Sequence, residues 1–191
     1  MARSIGRPRG DDEHILEAAL LEYGAHGASG FTLNGVARRA GVGKSALYLR
    51  WPDKDSLLAD AVATRSAGIE AVDSGSLRED LTTLATNLAT YWREPAGWAT
   101  LRITVDQVGA AEPPAFHQHV IDGHRTTARS IVERAVARGE LTAHAQGHGP
   151  LALQLLYGGV LMRLLSREPV DRACAEQIVD GVLATLAPIT D

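Results

Sequence analysis

The sequence contains a single cysteine, Cys174, among 191 residues. One thiol cannot form a disulfide within the chain, and such sparse use of cysteine is typical of proteins that fold in a reducing compartment. The first ten residues, MARSIGRPRG, are basic but lack the apolar core of a secretory signal. We therefore expect a cytoplasmic protein without disulfides.

Long apolar runs and strand patterns are also missing. The longest apolar stretch, 151–165, is interrupted by Gln154 and Arg163, whereas a membrane helix needs about 20 apolar residues. Without strands, no glycine-rich loop can follow a strand to hold a nucleotide phosphate. The periodicity instead predicts an all-α protein of about nine helices, with no membrane segment and no cofactor.

The histidines and carboxylates form no recognisable catalytic or metal site. His117, His119 and His124 stand near the start of a predicted long helix. At about 100° per residue, His119 points away from the face that the other two share. His144 and His148 fall in a glycine-containing loop, where exposure to solvent accounts for them. We expect neither a bound metal nor enzymatic activity.

The segment FTLNGVARRAGVGKSALYLRWPDKDSLL, residues 31–58, has the pattern of two short helices joined by a glycine turn and followed by a third helix. Thr32 can cap the first helix, and Gly41 supplies the positive φ of a sharp turn. The second helix, 44–50, buries Leu47 and leaves Lys44, Ser45, Tyr48 and Leu49 on or near its exposed side. A short exposed helix behind a tight turn is typical of a helix-turn-helix, whose second helix enters the major groove of DNA.

The spacing of these residues extends upstream and is more specific than a lone glycine turn. Its parts are Ile15-Leu16-(x2)-Ala19, Gly30-Phe31-Thr32-(x3)-Val36-Ala37-(x2)-Ala40-Gly41-Val42, Ala46-Leu47-Tyr48-(x2)-Trp51 and Lys54-(x2)-Leu57-Leu58. This composite resembles the DNA-binding head of the tetracycline-repressor (TetR) family. Two positions depart from the family pattern: Gly43 replaces the usual capping serine, and Trp51 replaces the usual phenylalanine. The resemblance implies a dimeric regulator with a ligand cavity in a helical body.

The charge is distributed unevenly along the chain. Residues 1–54 hold eight basic and six acidic residues, a net charge of +2, and the remainder carries −6. A positive head on an acidic body would orient the molecule on a polyanion. We accordingly divide the chain into a basic arm at 1–10, a helix-turn-helix domain at 11–58 and a helical effector-binding and dimerisation domain at 59–191.

The candidate DNA contacts are basic and polar residues of the arm, of the helix starts and of the recognition helix. The recognition helix would present its residues to bases and phosphates. The starts of the helices would point their backbone N–H groups at the phosphate backbone of the DNA. The arm would reach phosphates or a minor groove, unless it is simply a solvated terminus. These candidates are Arg7, Arg9, Thr32, Lys44, Ser45, Tyr48 and Lys54.

Apolar periodicity and helix breakers place the helices along the chain. A loop is expected from Thr142 to Pro150. The expected helices cover about 12–25, 33–40, 44–50, 54–71, 77–94, 98–109, 115–138, 151–166 and 171–186.

The last two predicted helices carry a dimerisation signal. The helix at 151–166 is apolar nearly all round and needs cover on every side, and the helix at 171–186 has a broad apolar face. A second copy would complete an intersubunit four-helix bundle, which the resemblance also implies; the alternative is the central core helix of a monomer. The candidate interface residues are Leu155, Val160, Val179 and Leu183.

The resemblance also implies an effector pocket in the body. Aromatic side chains and a methionine would suit an apolar or amphipathic small molecule, although plain core packing is the alternative for each residue. The candidate pocket residues are Trp92, Trp98, Leu101, Val105, Phe116, Val120, Tyr157, Leu161 and Met162.

We predict a DNA-binding transcriptional regulator, a ligand-responsive repressor that binds a palindromic operator as a homodimer. Two other classes stay open at this point. One is an all-α ligand-sequestering or enzymatic protein with a vestigial head, and the other is a helical adaptor that binds protein through its C-terminal helices. Retention of DNA fragments would separate the first class from both others.

Overall fold

The computed structural model describes residues 10–66, 73–108 and 115–186, and these ranges contain nine α-helices and no strand. The all-α prediction is therefore confirmed for the described part of the chain. The helices are α1 (Gly10–Gly30), α2 (Leu33–Ala40), α3 (Lys44–Arg50), α4 (Lys54–Ser66), α5 (Leu77–Arg93), α6 (Pro95–Asp106), α7 (Ala115–Ala137), α8 (Gly149–Leu165) and α9 (Arg172–Leu186).

The chain divides into two compact units. The first unit contains α1 to α4 and α6, and the second contains α5, most of α7, α8 and α9. The predicted functional boundary after Leu58 falls inside α4. The sequence alone did not indicate that α6 packs with the N-terminal helices.

The first unit is built around α1, which packs against α2, α4 and α6. Its core is aliphatic, and Leu20, Val36 and Leu57 are fully buried there. The rings of Tyr23 and Phe31 lie 5.6 Å apart, centroid to centroid, in a tilted arrangement. Burying each such side chain contributes about 1.5–3 kcal/mol, so α1 is the support on which the shorter helices rest.

Helix α1 extends past its predicted end at residue 25, but its backbone has a kink at Gly27, where two helical stretches meet. Gly27 has a φ of 66°, and a Cβ at this position would collide with the guanidinium of Arg102. Arg102 Nη1 donates a hydrogen bond to the carbonyl oxygen of Gly24 at 2.9 Å. This long-range contact satisfies a carbonyl that a kinked helix end would otherwise leave without a partner.

Other helix boundaries also differ from the predicted ones. Helix α6 begins at Pro95 rather than residue 98, because proline is well suited to the first turn of a helix. The predicted loop at 142–150 contains a 3₁₀-helix, Ala143–His148, and α8 begins directly after it at Gly149. The predicted extension of α4 beyond Ser66 lies outside the described residues.

The second unit contains a buried carboxylate at the start of α5. Asp80 is fully buried and accepts hydrogen bonds from the backbone N–H and the hydroxyl of Ser74, both at 2.6 Å. Arg138 lies 3.4 Å from Asp80 and also pairs with Glu140. Glu140 accepts from the backbone N–H of Leu77 at 2.7 Å. These contacts compensate the buried charge and fix the α5 N-terminus to the chain segment after α7.

A second buried carboxylate lies in the first unit. Glu22 is almost fully buried and accepts a hydrogen bond from Arg39 Nε at 3.0 Å. Its carboxylate occupies the space beside Gly35, where a Cβ would collide with it. Because a buried carboxylate without a partner is costly, a side chain at Gly35 that displaced Glu22 from Arg39 would destabilise the first unit.

We predict that Gly35→Ala destabilises the protein by about 1–3 kcal/mol, since the added methyl displaces Glu22 from its pairing with Arg39. Gly43→Ala is the matched control, because that position has a φ of −68° and open space around it. Chemical denaturation of both variants measures the difference. Equal stability of the two variants would show that Glu22 does not need this space.

Candidate nucleic-acid interface

The turn between α2 and α3 has the local geometry that the sequence predicts. The hydroxyl of Thr32 caps α2 by accepting from the backbone N–H of Gly35 at 3.0 Å. Gly41 ends α2 with a φ of 68°, and the N–H of Val42 bonds to the carbonyl of Ala37 at 3.0 Å. A left-handed glycine followed by such a bond is a standard helix ending. It turns the chain sharply into α3.

Helix α3 is held to the first unit by its apolar side. Leu47 is fully buried, and Trp51, which follows the helix, is also buried. The Trp51 indole Nε1 donates to the carboxylate of Asp60 at 2.8 Å. A phenylalanine would need no such partner, so Asp60 is what accommodates the tryptophan at this position.

The outward side of α3 carries three of the predicted DNA contacts. Lys44, Ser45 and Tyr48 are all exposed. Gly43 stands at the helix start in an extended conformation, without a side-chain cap. These three side chains therefore have no ion pair or hydrogen bond that ties them to the described part of the first unit.

Helix α4 begins beside this surface with a charged and capped first turn. Asp53 Oδ1 accepts from the backbone N–H of Ser56 at 2.7 Å, and this hydrogen bond lowers the pKa of Asp53. Lys54, the first residue of α4, is exposed. Asp53 therefore caps α4, and Lys54 lies where the chain passes from α3 into α4.

Carboxylates hold two of the arginines in the head and leave the lysines unpaired. Arg39 pairs with Glu22, and Arg50 pairs with Asp12 on the first turns of α1. The only lysines of the chain are Lys44 and Lys54, and neither has a carboxylate partner among the described residues. The two lysines and Arg38, an exposed residue of α2, are the cations of the described head without an ion pair, and the two lysines are among the residues that the sequence predicts as DNA contacts.

Sequence reasoning missed the Asp12–Arg50 pair, which joins α1 to the end of α3. A second contact nearby links His14 Nε2 to the carbonyl oxygen of Ala40 at 3.1 Å. No spacing rule connects residues 38 positions apart, so only the folded head brings Arg50 to Asp12. Arg7 and Arg9 of the predicted arm lie outside the described residues.

The predicted pocket residues are divided between the two units. Trp98, Leu101 and Val105 lie on α6 in the first unit. In the second unit, Trp92 packs edge-on against Tyr157 with ring centroids 5.8 Å apart, and burial raises the pKa of Tyr157 to about 12.

The remaining pocket candidates are less enclosed or lie outside the described side chains. Met162 is mostly exposed, so it is not part of an enclosed wall in this structure, and Leu161 is half-buried. The side chains of Phe116 and Val120 are not among those described. A cavity of about 10 Å³ does occur in the second unit, but its lining contains none of the predicted residues. That volume has room for about one water molecule, so it is not an effector pocket.

The structure corrects two of the predicted dimer residues. Val160 and Val179 are fully buried within the second unit, so they have no surface left for a partner and serve as internal packing between α8 and α9. Leu155 is exposed and Leu183 is half-buried. The prediction failed because an apolar helix was assigned as a whole to the interface, without dividing its inner side from its outer side.

The outer side of α8 carries an apolar stripe that we define as Leu151, Leu155, Met162 and Leu165. These side chains are between 44% and 60% exposed. Their spacing of i, i+4, i+11 and i+14 places them on one face of the helix. Gly158 lies on the same face, with open space around it.

Within the described ranges, every helix is too short or too polar to span a lipid bilayer. The same ranges contain no cluster of three or more side chains that could hold a metal ion. The rings of His144 and His148 lie 5.2 Å apart in the 3₁₀-helix.

Comparison with known families matches both parts of the chain. Residues 15–61 match the family described as bacterial regulatory proteins, tetR family. Residues 71–182 match the family described as tetracyclin repressor-like, C-terminal domain. The two matches account for the head and for most of the remaining chain.

Similar proteins are named as transcriptional regulators. The HTH-type transcriptional regulator AqdR of Rhodococcus erythropolis is 34% identical over 68% of this chain, and the match spans 63% of AqdR. The uncharacterized HTH-type transcriptional regulator YdeS of Bacillus subtilis is 28% identical, over 86% of this chain and 84% of YdeS. A TetR-family regulator structure from Rhodococcus sp. has a TM-score of 0.74 at 19% identity, over 93% of this chain and 98% of that chain. The structure of the multidrug binding protein EbrR, complexed with imidazole, has a TM-score of 0.66 at 16% identity. The match covers 97% of this chain and 98% of the EbrR chain.

We predict that Lys54→Ala weakens DNA binding to all sequences about equally and reduces the slope of log affinity against log salt by about one unit for each head bound. Tyr48→Ala should also weaken binding, but with an unchanged slope, because the phenol carries no charge. Arg125→Ala, an exposed arginine of the second unit, is the control and should bind as the wild type does. Salt-dependent affinity measurements that show no loss in either head variant would contradict the assignment of this surface.

Proposed function

We propose that this chain, which belongs to the TetR family of bacterial transcriptional regulators, acts as a ligand-responsive repressor that binds a palindromic operator as a homodimer. The observation that carries the proposal is the outward face of α3. It presents Lys44, Ser45 and Tyr48 to solvent, while Leu47 fixes the opposite side. Such a helix, placed behind the turn at Gly41, fits the major groove.

The charges of the head support contact with the phosphate backbone. Lys44 and Lys54 are exposed at the starts of α3 and α4. The N–H groups at the start of α4 add a favourable field for an anion. The pairing of Arg50 with Asp12 holds that arginine beside α1, so Lys44 is the unpaired cation of α3.

The apolar stripe on α8 supports a homodimer. It would be covered by the same stripe of a second copy, in an isologous contact around a two-fold axis. Gly158 lies within the stripe and has no side chain to hold the two helices apart. Leu183, half-buried on α9, would extend the interface, whereas Val160 and Val179 would remain internal.

The effector is proposed to be an apolar or amphipathic small molecule bound in the body. Trp92 and Tyr157 offer aromatic surface in the second unit. EbrR, a multidrug binding protein whose structure resembles this one, was obtained in complex with imidazole. The cavity of about 10 Å³ is too small for such a molecule, so it is not the proposed effector site.

The packing of α6 on α1 supports a route from the body to the head. The Tyr23 hydroxyl donates to the carboxylate of Asp106 at 3.0 Å, and Arg102 holds the carbonyl of Gly24. Burial and the contact with Asp106 raise the pKa of Tyr23 to about 12, so the phenol is a neutral donor at physiological pH. A displacement of α6 would therefore act on α1, as well as through α4. The effector releases DNA only if it binds the non-binding arrangement more tightly.

The proposal is tested by retaining fragments of the source genome on the purified protein, sequencing them and reading the neighbouring genes. We expect a small set of fragments that share one sequence element. The Tyr48→Ala/Lys54→Ala double variant is the control and should retain none of them. Failure of the wild type to retain DNA would favour a ligand-binding protein with a vestigial head.

We predict that the preferred site is an inverted repeat whose half-sites lie about 10–10.5 base pairs apart, or a multiple of that spacing. The reason is that two recognition helices related by a two-fold axis must enter successive major grooves on one side of the duplex. Footprinting measures the protected sequence. Protection of a direct repeat, or of one asymmetric half-site, would contradict a symmetric dimer.

We predict that Leu155→Glu, or Met162→Glu, converts the protein to a monomer, because each variant would bury an unpaired carboxylate in the dimer. Val108→Glu is the control, since Val108 is also exposed but lies after α6 in the first unit. Sedimentation at micromolar concentration gives the oligomeric state. A wild type that is already monomeric would refute the dimer, and circular dichroism confirms that the variants are folded.

A further inference from the structure

Two residues of α3 lie on the side of the helix that faces directly away from the first unit. At about 100° per residue, Ser45 and Leu49 each stand about 160° around the axis from the buried Leu47. They are four positions apart and therefore lie one above the other. Tyr48 and Ala46 occupy the flanks. The centre of the outward face is thus formed by Ser45 and Leu49.

Leu49 is an unusual residue for such a position. Its side chain is 84% exposed, the largest exposure among the large apolar residues of the described chain. Scattered exposed leucines are ordinary on protein surfaces. This one, however, stands at the centre of the face that would enter a DNA groove, where a polar side chain would make better contacts with water.

The neighbouring arginine does not compete for the same space. Arg50 follows Leu49 in sequence, but its guanidinium is paired with Asp12 of α1. Since Leu47 holds the helix from behind, rotation of α3 cannot exchange the two side chains. The last turn of α3 therefore offers an apolar side chain to a ligand, because the neighbouring guanidinium of Arg50 is directed to Asp12.

We propose that Leu49 is a specificity-determining residue that packs against the C5-methyl group of a thymine in each operator half-site. The inference rests on the proposed function, because it requires α3 to enter the major groove. The thymine methyl is the apolar group that the four base pairs display there, and the other base edges present donors and acceptors. A leucine placed against those edges would remove water without replacing its hydrogen bonds.

The test uses the operator found by fragment retention, with each thymine replaced in turn by deoxyuridine. This replacement removes the C5-methyl group and leaves the base-pairing edge unchanged. For the wild type we expect one position per half-site at which the replacement weakens binding. The affinity should fall by about fourfold for each half-site, which corresponds to the free energy of burying one methyl group. Leu49→Ala should bind more weakly and should lose sensitivity at that position.

Two further variants make the result specific. Leu49→Met keeps an apolar side chain and should retain the sensitivity to deoxyuridine. Val108→Ala removes another strongly exposed apolar side chain of the first unit and should behave as the wild type. Because Leu49 is exposed, all the variants should fold, and circular dichroism checks this.

The outcomes separate the two proposals. If the protein retains no DNA, the proposed function fails. If it binds an operator in which no thymine is sensitive to loss of its methyl group, or in which Leu49→Ala keeps the full sensitivity, the assignment of Leu49 is overturned while the proposed function stands.

Discussion

The burial of Leu47 is the contact on which the proposed interface depends. Helix α3 has seven residues, and an isolated helix of that length is unstable in water. Its helical form and its rotation therefore come from packing on the first unit, to which Leu47 contributes about 1.5–3 kcal/mol. Because Leu47 faces inward, Ser45 and Leu49 must face outward. The Trp51–Asp60 hydrogen bond at 2.8 Å and the Asp12–Arg50 pair hold the end of the helix.

The features that could be predicted from the sequence are those that local chemistry determines. Thr32 as a cap, Gly41 at positive φ and Leu47 as the inward residue each follow from side-chain type and spacing within a few positions. The same holds for Asp53, whose capping bond reaches only three residues along the chain. These local signals suffice to place Lys44, Ser45, Tyr48 and Lys54 on the outside.

The features that could not be predicted depend on contacts between distant residues. The carbonyl of Gly24, just before the kink of α1 at Gly27, is bound by Arg102, 78 positions away, and the sequence around Gly27 suggests only a break. Val160 and Val179 have the same apolar character as Leu155, so their burial is decided by how α8 packs against α9. The pocket candidates were chosen for their chemical type, and type alone does not say which unit a side chain joins.

The two buried carboxylates indicate how the fold combines stability with defined geometry. Glu22 is almost fully buried and Asp80 is fully buried. Glu22 pairs with Arg39 and lies beside Gly35. Asp80 lies close to Arg138 and accepts a hydrogen bond from Ser74. An apolar residue of similar size would avoid the desolvation cost. The carboxylates, however, bind partners at particular distances, which an apolar contact does not require. In the first unit this means that Arg39, at the end of α2, is held in one place by Glu22 of α1. The turn that begins at Gly41 therefore starts from a fixed point, and the direction in which α3 leaves it is fixed as well.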